Sequence, residues 1–391
     1  MAVTNATKSK NPKPSILMYA GSDDPDMLYF SRFHAPDPYL ALSVGRKKIA
    51  LANVLEFGRM VRESAFDEVL LLPDVQKAAA KRFRLPKGQL AGNRDVVRHL
   101  AKTYNIREFL VGDRFPAGLA MELLDAGIKV KATPPRALFP ARVQKTAEEV
   151  EAIRKGNRGS EAGFAAVAKA LKESKIRSGG KLYLGGKVLT AERLRELIQI
   201  AALEQGGIAL QTIVAPGDQA CDCHDKGTGP IRAGELIVVD IFPRRPSDGY
   251  WGDMTRTFLK GKASAEQRRM VRTVRKAEQL AIDMIKPGVS GGKVHRAVEA
   301  FFEREGYEAV KDSEEPAGFF HGLGHGLGLE VHEEPFMRPT AEWKFKKGMC
   351  VTVEPGLYYR GIGGCRWEDV VHVIPGGNEL ISKAPYKWEI A

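Results

Sequence analysis

Apolar runs of strand length recur through the first third of the chain: SILMYA, YLALSV, KKIALAN, DEVLLLP, REFLV and IKVKA, all between residues 15 and 132. Helical patterns over 54–64, 75–83, 95–104 and 117–126 fall among the later runs. Strands alternating with helices predict a sheet with helices packed against it, an α/β domain over residues 15–140. Pro134, Pro135 and Pro140 interrupt the pattern, and the domain boundary is placed there. A capping box, Thr146-Ala-Glu-Glu149, then opens a helix whose apolar positions include Val150, Ile153, Phe164 and Val167. Further helices are predicted over 191–205, from the capping box at Ser264 to Pro287-Gly288, and over 292–305 with Gly306 as cap. Strand patterns fill the rest, so residues 141–391 read as helices with a mostly antiparallel sheet. Residues 1–14 read as a short disordered basic tail.

Chemistry enters at residues 236–258, LIVVDIFPRRPSDGYWGDMTRTF. Leu236 to Asp240 reads as a buried strand ending in a carboxylate, and 249–258 as a returning strand carrying Asp253. Pro243, Pro246 and Ser247-Asp248-Gly249 supply turn chemistry between them. A hairpin brings the two carboxylates together. Ionised carboxylates in close contact repel, and a metal ion is the simplest positive partner.

Two later stretches join this one. HGLGHGLGLEVHEEP places His321, His325 and His332 together, out of eight histidines in the chain. His-x3-His suits a metal on a helix, but the glycines oppose helix formation, so an irregular glycine-opened loop is expected. MCVTVEPGLYYRGIGGCRWEDVVHV reads as two strands. In the first, Cys350, Thr352 and Glu354 share a face; in the second, Arg366 and Glu368 share one and Trp367 points away. Asp240, Asp253, His325, Glu354 and Glu368 thus form a candidate ligand set. Its four carboxylates carry about −4, enough to balance two divalent cations, and oxygen ligands with one imidazole suit Mn²⁺, with Co²⁺, Fe²⁺ or Zn²⁺ as alternatives. A metal pair about 3.5–4 Å apart holds and acidifies a bridging water.

Composition narrows the picture mainly by exclusion. The chain has 391 residues, 43% hydrophobic and 28% charged, the profile of a soluble globular protein of two domains. No apolar run reaches the roughly 20 residues of a membrane span, and the start of the chain lacks the apolar core of a secretory signal. A cytoplasmic protein without membrane partners is expected. Cys221 and Cys223 in CDCH lack a second metal-ligand pair nearby, and no disulfide framework is visible. The net charge of +12 is spread along the chain, with no nucleic-acid motif, so a solvated basic surface is expected rather than a nucleic-acid partner. Dinucleotide and P-loop fingerprints are absent.

The three motifs, VVD followed by GYWGDMTRTF, then HGLGHGLGLEVHE, then VEPGLYY with GGCRWED, resemble those of the pita-bread metallopeptidases. The branch is that of aminopeptidase P, prolidase and creatinase. The resemblance covers roughly residues 142–391 and implies an α+β fold. A creatinase-N-like α/β domain precedes a pita-bread domain with a curved antiparallel sheet and flanking helices. It implies a two-metal exopeptidase cleaving Xaa-Pro bonds of proline-containing peptides by attack of a metal-bridging hydroxide. Asp240 is expected on one metal, His325 and Glu354 on the other, and Asp253 and Glu368 bridging. Glu354 also shuttles the proton, His332 steadies the scissile carbonyl, and His224 binds substrate and relays protons. His321 and Arg366 line the same cleft. A homodimer is implied. A metal-free creatinase-like hydrolase and a non-enzymatic binding module share the fold and are the alternatives. Two departures stand out: Phe242 occupies a position usually glycine, and the two aspartates are thirteen positions apart rather than eleven. Because the added length is even, both carboxylates stay on one face of the hairpin.

Overall fold

The computed structural model describes residues 14–311 and 313–391. The tail expected over residues 1–14 lies, apart from Pro14, outside the described residues. The chain divides into two compact units between Pro140 and Ala141.

In the first unit all six apolar runs are strands of one mixed sheet. Ser15–Ala20 lies between Tyr39–Val44, antiparallel, and Glu108–Val111, parallel. Lys47–Ala52 and Glu68–Leu71 extend one edge, and Lys129–Ala132 the other. Leu17, Leu42, Ile49 and Phe109 centre the core that one set of helices covers. The helix expected over 54–64 is Phe57–Glu63. It starts later because Asn53 Oδ1 accepts the Glu56 N–H at 2.9 Å and turns the chain first. A seven-residue helix, Pro25–Ser31, was not predicted. It is too short for periodicity, and Asp24 caps it by accepting the Met27 N–H at 2.7 Å.

The second unit repeats one arrangement twice: a helix pair against a sheet. Helices Ala147–Glu173 and Ala191–Glu204 pack on the sheet of Ile213–Pro216, Ile237–Ile241, Met254–Lys260 and Glu389–Ile390. Phe164, Ile198, Val239 and Phe258 lie in that core. Helices Ala265–Met284 and Gly291–Arg304 back a five-stranded antiparallel sheet that includes Gly324–Gly326, Glu333–Met337, Cys350–Val353 and Asp369–Ile374. Val274, Val298, Val351 and Trp367 lie in the second core. Both capping boxes form as read, at Thr146 and at Ser264.

The first helix sits unusually close to its sheet. A Cβ at Gly163 would stand 2.6 Å from Ile241 Cδ1, one at Gly159 2.9 Å from Pro243 Cγ, and one at Gly156 2.5 Å from the Gly252 nitrogen. Contacts of that length are forbidden, so this glycine face is what lets the helix press on the hairpin carrying both aspartates.

The second predicted carboxylate strand is broken into two. Gly363–Arg366 pairs with Gly356–Tyr359, whereas Asp369–Ile374 pairs with Cys350–Val353. The chain changes partner at Glu368, whose N–H donates to Thr255 O at 3.1 Å. Glu368 is thereby held against the aspartate hairpin.

Candidate metal centre

The hairpin fixes the first two carboxylates. Ile241 pairs with Met254 and Asp240 with Thr255. Beyond them Gly252 N donates to Pro243 O at 2.9 Å, and Arg244 bridges Trp251. Register is therefore unbroken through the lengthened turn, and Phe242 stands opposite Asp253. Directly opposed residues of an antiparallel pair share a face, which puts Asp240, Phe242, Asp253 and Thr255 on one side.

The histidine comes from the next sheet. His325 lies on the short strand Gly324–Gly326 instead of in the open loop expected. The glycines on either side serve close packing: a Cβ on Gly324 would strike Thr352 O, and one on Gly326 would strike Glu334 O. Thr352 Oγ1 accepts the His325 N–H at 3.1 Å. Nδ1 lies 3.1 Å from Gly326 O; a carbonyl can only accept, so Nδ1 carries the proton and Nε2 keeps its lone pair. That Nε2 is 3.6 Å from Asp253 Oδ2 and 3.4 Å from Glu354 Oε1.

Ligand atoms of Asp253, His325 and Glu368 all lie within 4.8 Å of one another, and all three residues are buried. Asp240 adjoins them. Its Oδ2 accepts from Arg366 Nη2 at 2.8 Å, while its Oδ1 is buried with no hydrogen-bond partner among the described residues. Burial, reinforced by the charges of Asp240 and Glu354, raises Asp253 well above the usual carboxylate range. Burial, with Asp253 as the largest neighbouring charge, does the same to Glu368. Glu354 is pushed up to about 8 by burial, against the pull of Arg366. An orphaned carboxylate oxygen, an imidazole Nε2 that faces two carboxylates and carboxyls that resist ionising together fit divalent cations, whose charge would reverse every one of those shifts. Among the described residues this is the one group of metal-ligand geometry.

The remaining predicted residues surround it. The His332 ring is exposed and stands edge-on to His325, centroids 4.4 Å apart. Its loop is held by Trp251, whose Nε1 donates to Leu329 O at 3.1 Å. The neighbouring Glu333 is buried between Arg142, at 2.7 Å, and Lys145, at 2.5 Å. His321 and Arg366 meet through Tyr358. Arg366 Nη1 donates to the Tyr358 hydroxyl at 3.0 Å, and that hydroxyl reaches His321 Nε2 at 3.0 Å. Burial, aided by Arg366, lowers His321 to about 3, which keeps it neutral and able to accept that bond. His224 sits in an exposed turn, close enough for its charge to bear on His321.

Several supporting residues escaped the sequence reading. Thr255 Oγ1 donates to Glu368 Oε2 at 2.8 Å; its place two residues from Asp253 on the same face was a usable signal. Asn157, fully buried on the first helix, accepts the Asp253 N–H at 3.0 Å and donates to Ile381 O at 3.0 Å. Arg256, buried behind the site, donates to Glu368 O at 2.7 Å and to Asp369 Oδ1 at 2.8 Å. Nothing in their local sequence marks Asn157 or Arg256.

The chain is similar to known proteins in sequence and in fold. The profile of metallopeptidase family M24 matches residues 151–375. A Xaa-Pro dipeptidase of Pyrococcus furiosus is 29% identical over 243 residues, 62% of this chain and 64% of that protein. The chain spans between 47% and 64% of the length of the first curated relatives it matches. Two solved structures share the fold across nearly the whole chain. One is a Xaa-Pro dipeptidase from Bacillus anthracis, with a TM-score of 0.79 and 21% identity, covering 96% of this chain and 95% of that one. The other is an X-Pro aminopeptidase from Thermotoga maritima, also with a TM-score of 0.79, at 23% identity and covering 97% of each. The α+β fold is theirs, with the pita-bread arrangement in the second unit. With more than half of its length matched by that profile, the chain belongs to metallopeptidase family M24.

Proposed function

We propose that this protein is a two-metal exopeptidase that hydrolyses the bond between an N-terminal residue and proline. One observation carries the reading: Asp253, His325 and Glu368 converge to within 4.8 Å in a buried pocket that Asp240 and Glu354 adjoin. Among the described residues, Arg366 is the cation whose charge opposes these raised carboxyls. In this reading Asp240 would hold one ion, His325 and Glu354 would hold the other, and Asp253 and Glu368 would serve both. When bound, the ions (Mn²⁺ before Co²⁺, Fe²⁺ or Zn²⁺) supply Lewis acidity and an activated water.

The chain's own groups do the rest. Glu354 takes a proton and returns it to the departing proline nitrogen. His332 donates to the scissile carbonyl oxygen. Arg366, aligned by Asp240 and Tyr358, orients the substrate, and neutral His321 keeps Tyr358 in place. His224 binds substrate at the cleft edge and relays protons. The names of the relatives support proline as the target, as does the special resistance of a bond whose nitrogen carries no hydrogen.

The test is hydrolysis of Gly-Pro beside a longer Xaa-Pro-Yaa peptide, each with Mn²⁺ and with chelator. Cleavage abolished by chelator is expected, and the preferred length separates a dipeptidase from an aminopeptidase. No cleavage of either by protein shown to hold two equivalents of metal would overturn the assignment. We further propose a homodimer, on the family resemblance, and a cytoplasmic location, to be checked by light scattering and cell fractionation.

A further inference from the structure

We infer that Phe242 is a specificity-determining residue, an apolar wall that recognises the substrate side chain next to the scissile bond. The inference rests on the peptidase reading above. It starts from register. Among the residues of the hairpin that share the ligand face, Asp240 and Asp253 are carboxylates and Thr255 is committed to Glu368 and Arg366. Phe242 is the apolar member directly opposite Asp253. The pairs Asp240–Thr255, Phe242–Asp253 and Arg244–Trp251 are the narrow, non-hydrogen-bonded kind, since the intervening pair Pro243–Gly252 carries the Gly252 N–H to Pro243 O bond. Narrow pairs hold their Cα atoms about 4.5 Å apart and their side chains closest. The ring therefore projects beside Asp253, one side-chain length from any group bound over it.

The position is fixed. Pro243 packs between the helix Ala147–Glu173 and the turn that follows Ala191–Glu204, where a Cβ on Gly159 or Gly207 would approach it to 2.9 or 3.0 Å. Arg244 exchanges backbone bonds with Ile208 at 2.8 and 3.0 Å, pairing the strand's other edge. A ring carried on backbone braced on both flanks is preorganised, which is what selectivity requires. Phe242 is also only half-buried, like Asp240 and Glu354 and unlike Asp253, His325 and Glu368, so part of the residue is open to solvent. The other groups assigned to the cleft, His224, His321, His332 and Arg366, are polar. An apolar substrate group beside the reacting carbonyl thus finds its surface at Phe242.

Wild type, Phe242→Ala and Phe242→Leu, each with metal content and melting temperature measured, are compared on Gly-Pro, Ala-Pro, Leu-Pro, Phe-Pro and Leu-Ala. With two metals retained, Phe242→Ala is expected to reduce by about tenfold or more the kcat/KM preference for apolar Xaa over glycine, or for Leu-Pro over Leu-Ala, and Phe242→Leu to restore part of it. An equal fall on every substrate, or unchanged ratios in both series, would overturn the inference. Loss of metal in both variants would also overturn it, by making Phe242 a brace for Asp253. Wild type that cleaves none of the five removes the peptidase reading and this inference with it.

Discussion

Asp95 and Asp253 are both buried aspartates, one in each unit, and the chain treats them in opposite ways. Asp95 stands in the first turn of helix Asn93–Thr103, with Arg94 at 3.0 Å and Arg98 at 2.8 Å. Burial works to raise it, yet the two guanidiniums prevail and hold it below the usual range. Asp253 has carboxylates for neighbours, and burial with their charge drives it up. Glu333 shows that the second unit can also compensate a buried acid, since Lys145 and Arg142 keep it low. A buried carboxylate answered by the chain's own cations is structural. One left unanswered among others of its kind marks a place for a cation from outside.

Neutralising each aspartate tests that contrast most directly. Asp253→Asn should abolish both metal binding at two equivalents and turnover, while the metal-free protein melts at the same temperature or higher, because repulsion is relieved. Asp95→Asn should keep metal and turnover and cost less than about 1 kcal/mol, as its partners are partly exposed. Elemental analysis with calorimetry reads both; full activity in Asp253→Asn would break the distinction.

Asn157→Leu sharpens it by leaving every ligand in place. The Asp253 N–H and the Ile381 carbonyl lose their partners, at a cost of about 1–3 kcal/mol. Metal affinity should weaken by about 10- to 100-fold, the usual effect of removing a group that orients a ligand. Isothermal titration with Mn²⁺ checks this; undiminished affinity would mean that the backbone alone sets Asp253.

The last test concerns pH. His321 binds its proton at about 3 in the folded chain against an ordinary 6.5. Between those values the unfolded chain holds a proton that the folded one lacks, so stability rises with pH across that window and the contribution is complete above it. Relative to His321→Gln, wild type should lose stability as pH falls from about 6.5 towards 3, measured by denaturant titration at a series of pH values. Parallel curves would show that His321 titrates normally.

Much of this could be read from the sequence because alternation and spacing report on faces. Asp240 and Asp253 share a side by parity alone, and Arg366 with Glu368 oppose Trp367 for the same reason. The six strands of the first unit were legible as apolar runs. What periodicity could not reveal was the change of partner at Glu368, which depends on Thr255 from a distant strand. It also could not reveal Asn157, whose value lies in a bond 96 residues away along the chain. Residues that act across sheets leave no local trace.

The glycine face at positions 156, 159 and 163 has a consequence for anyone mutating this protein. None of the three is among the residues assigned to metal or substrate, so a library built around the cleft would treat them as free to vary. Each added methyl group would nonetheless collide with the backbone or side chains that carry the aspartates. The least tolerant sites in a deep mutational scan should therefore include three positions remote from chemistry, and selectivity is better sought at Phe242, whose half-open ring leaves room for change.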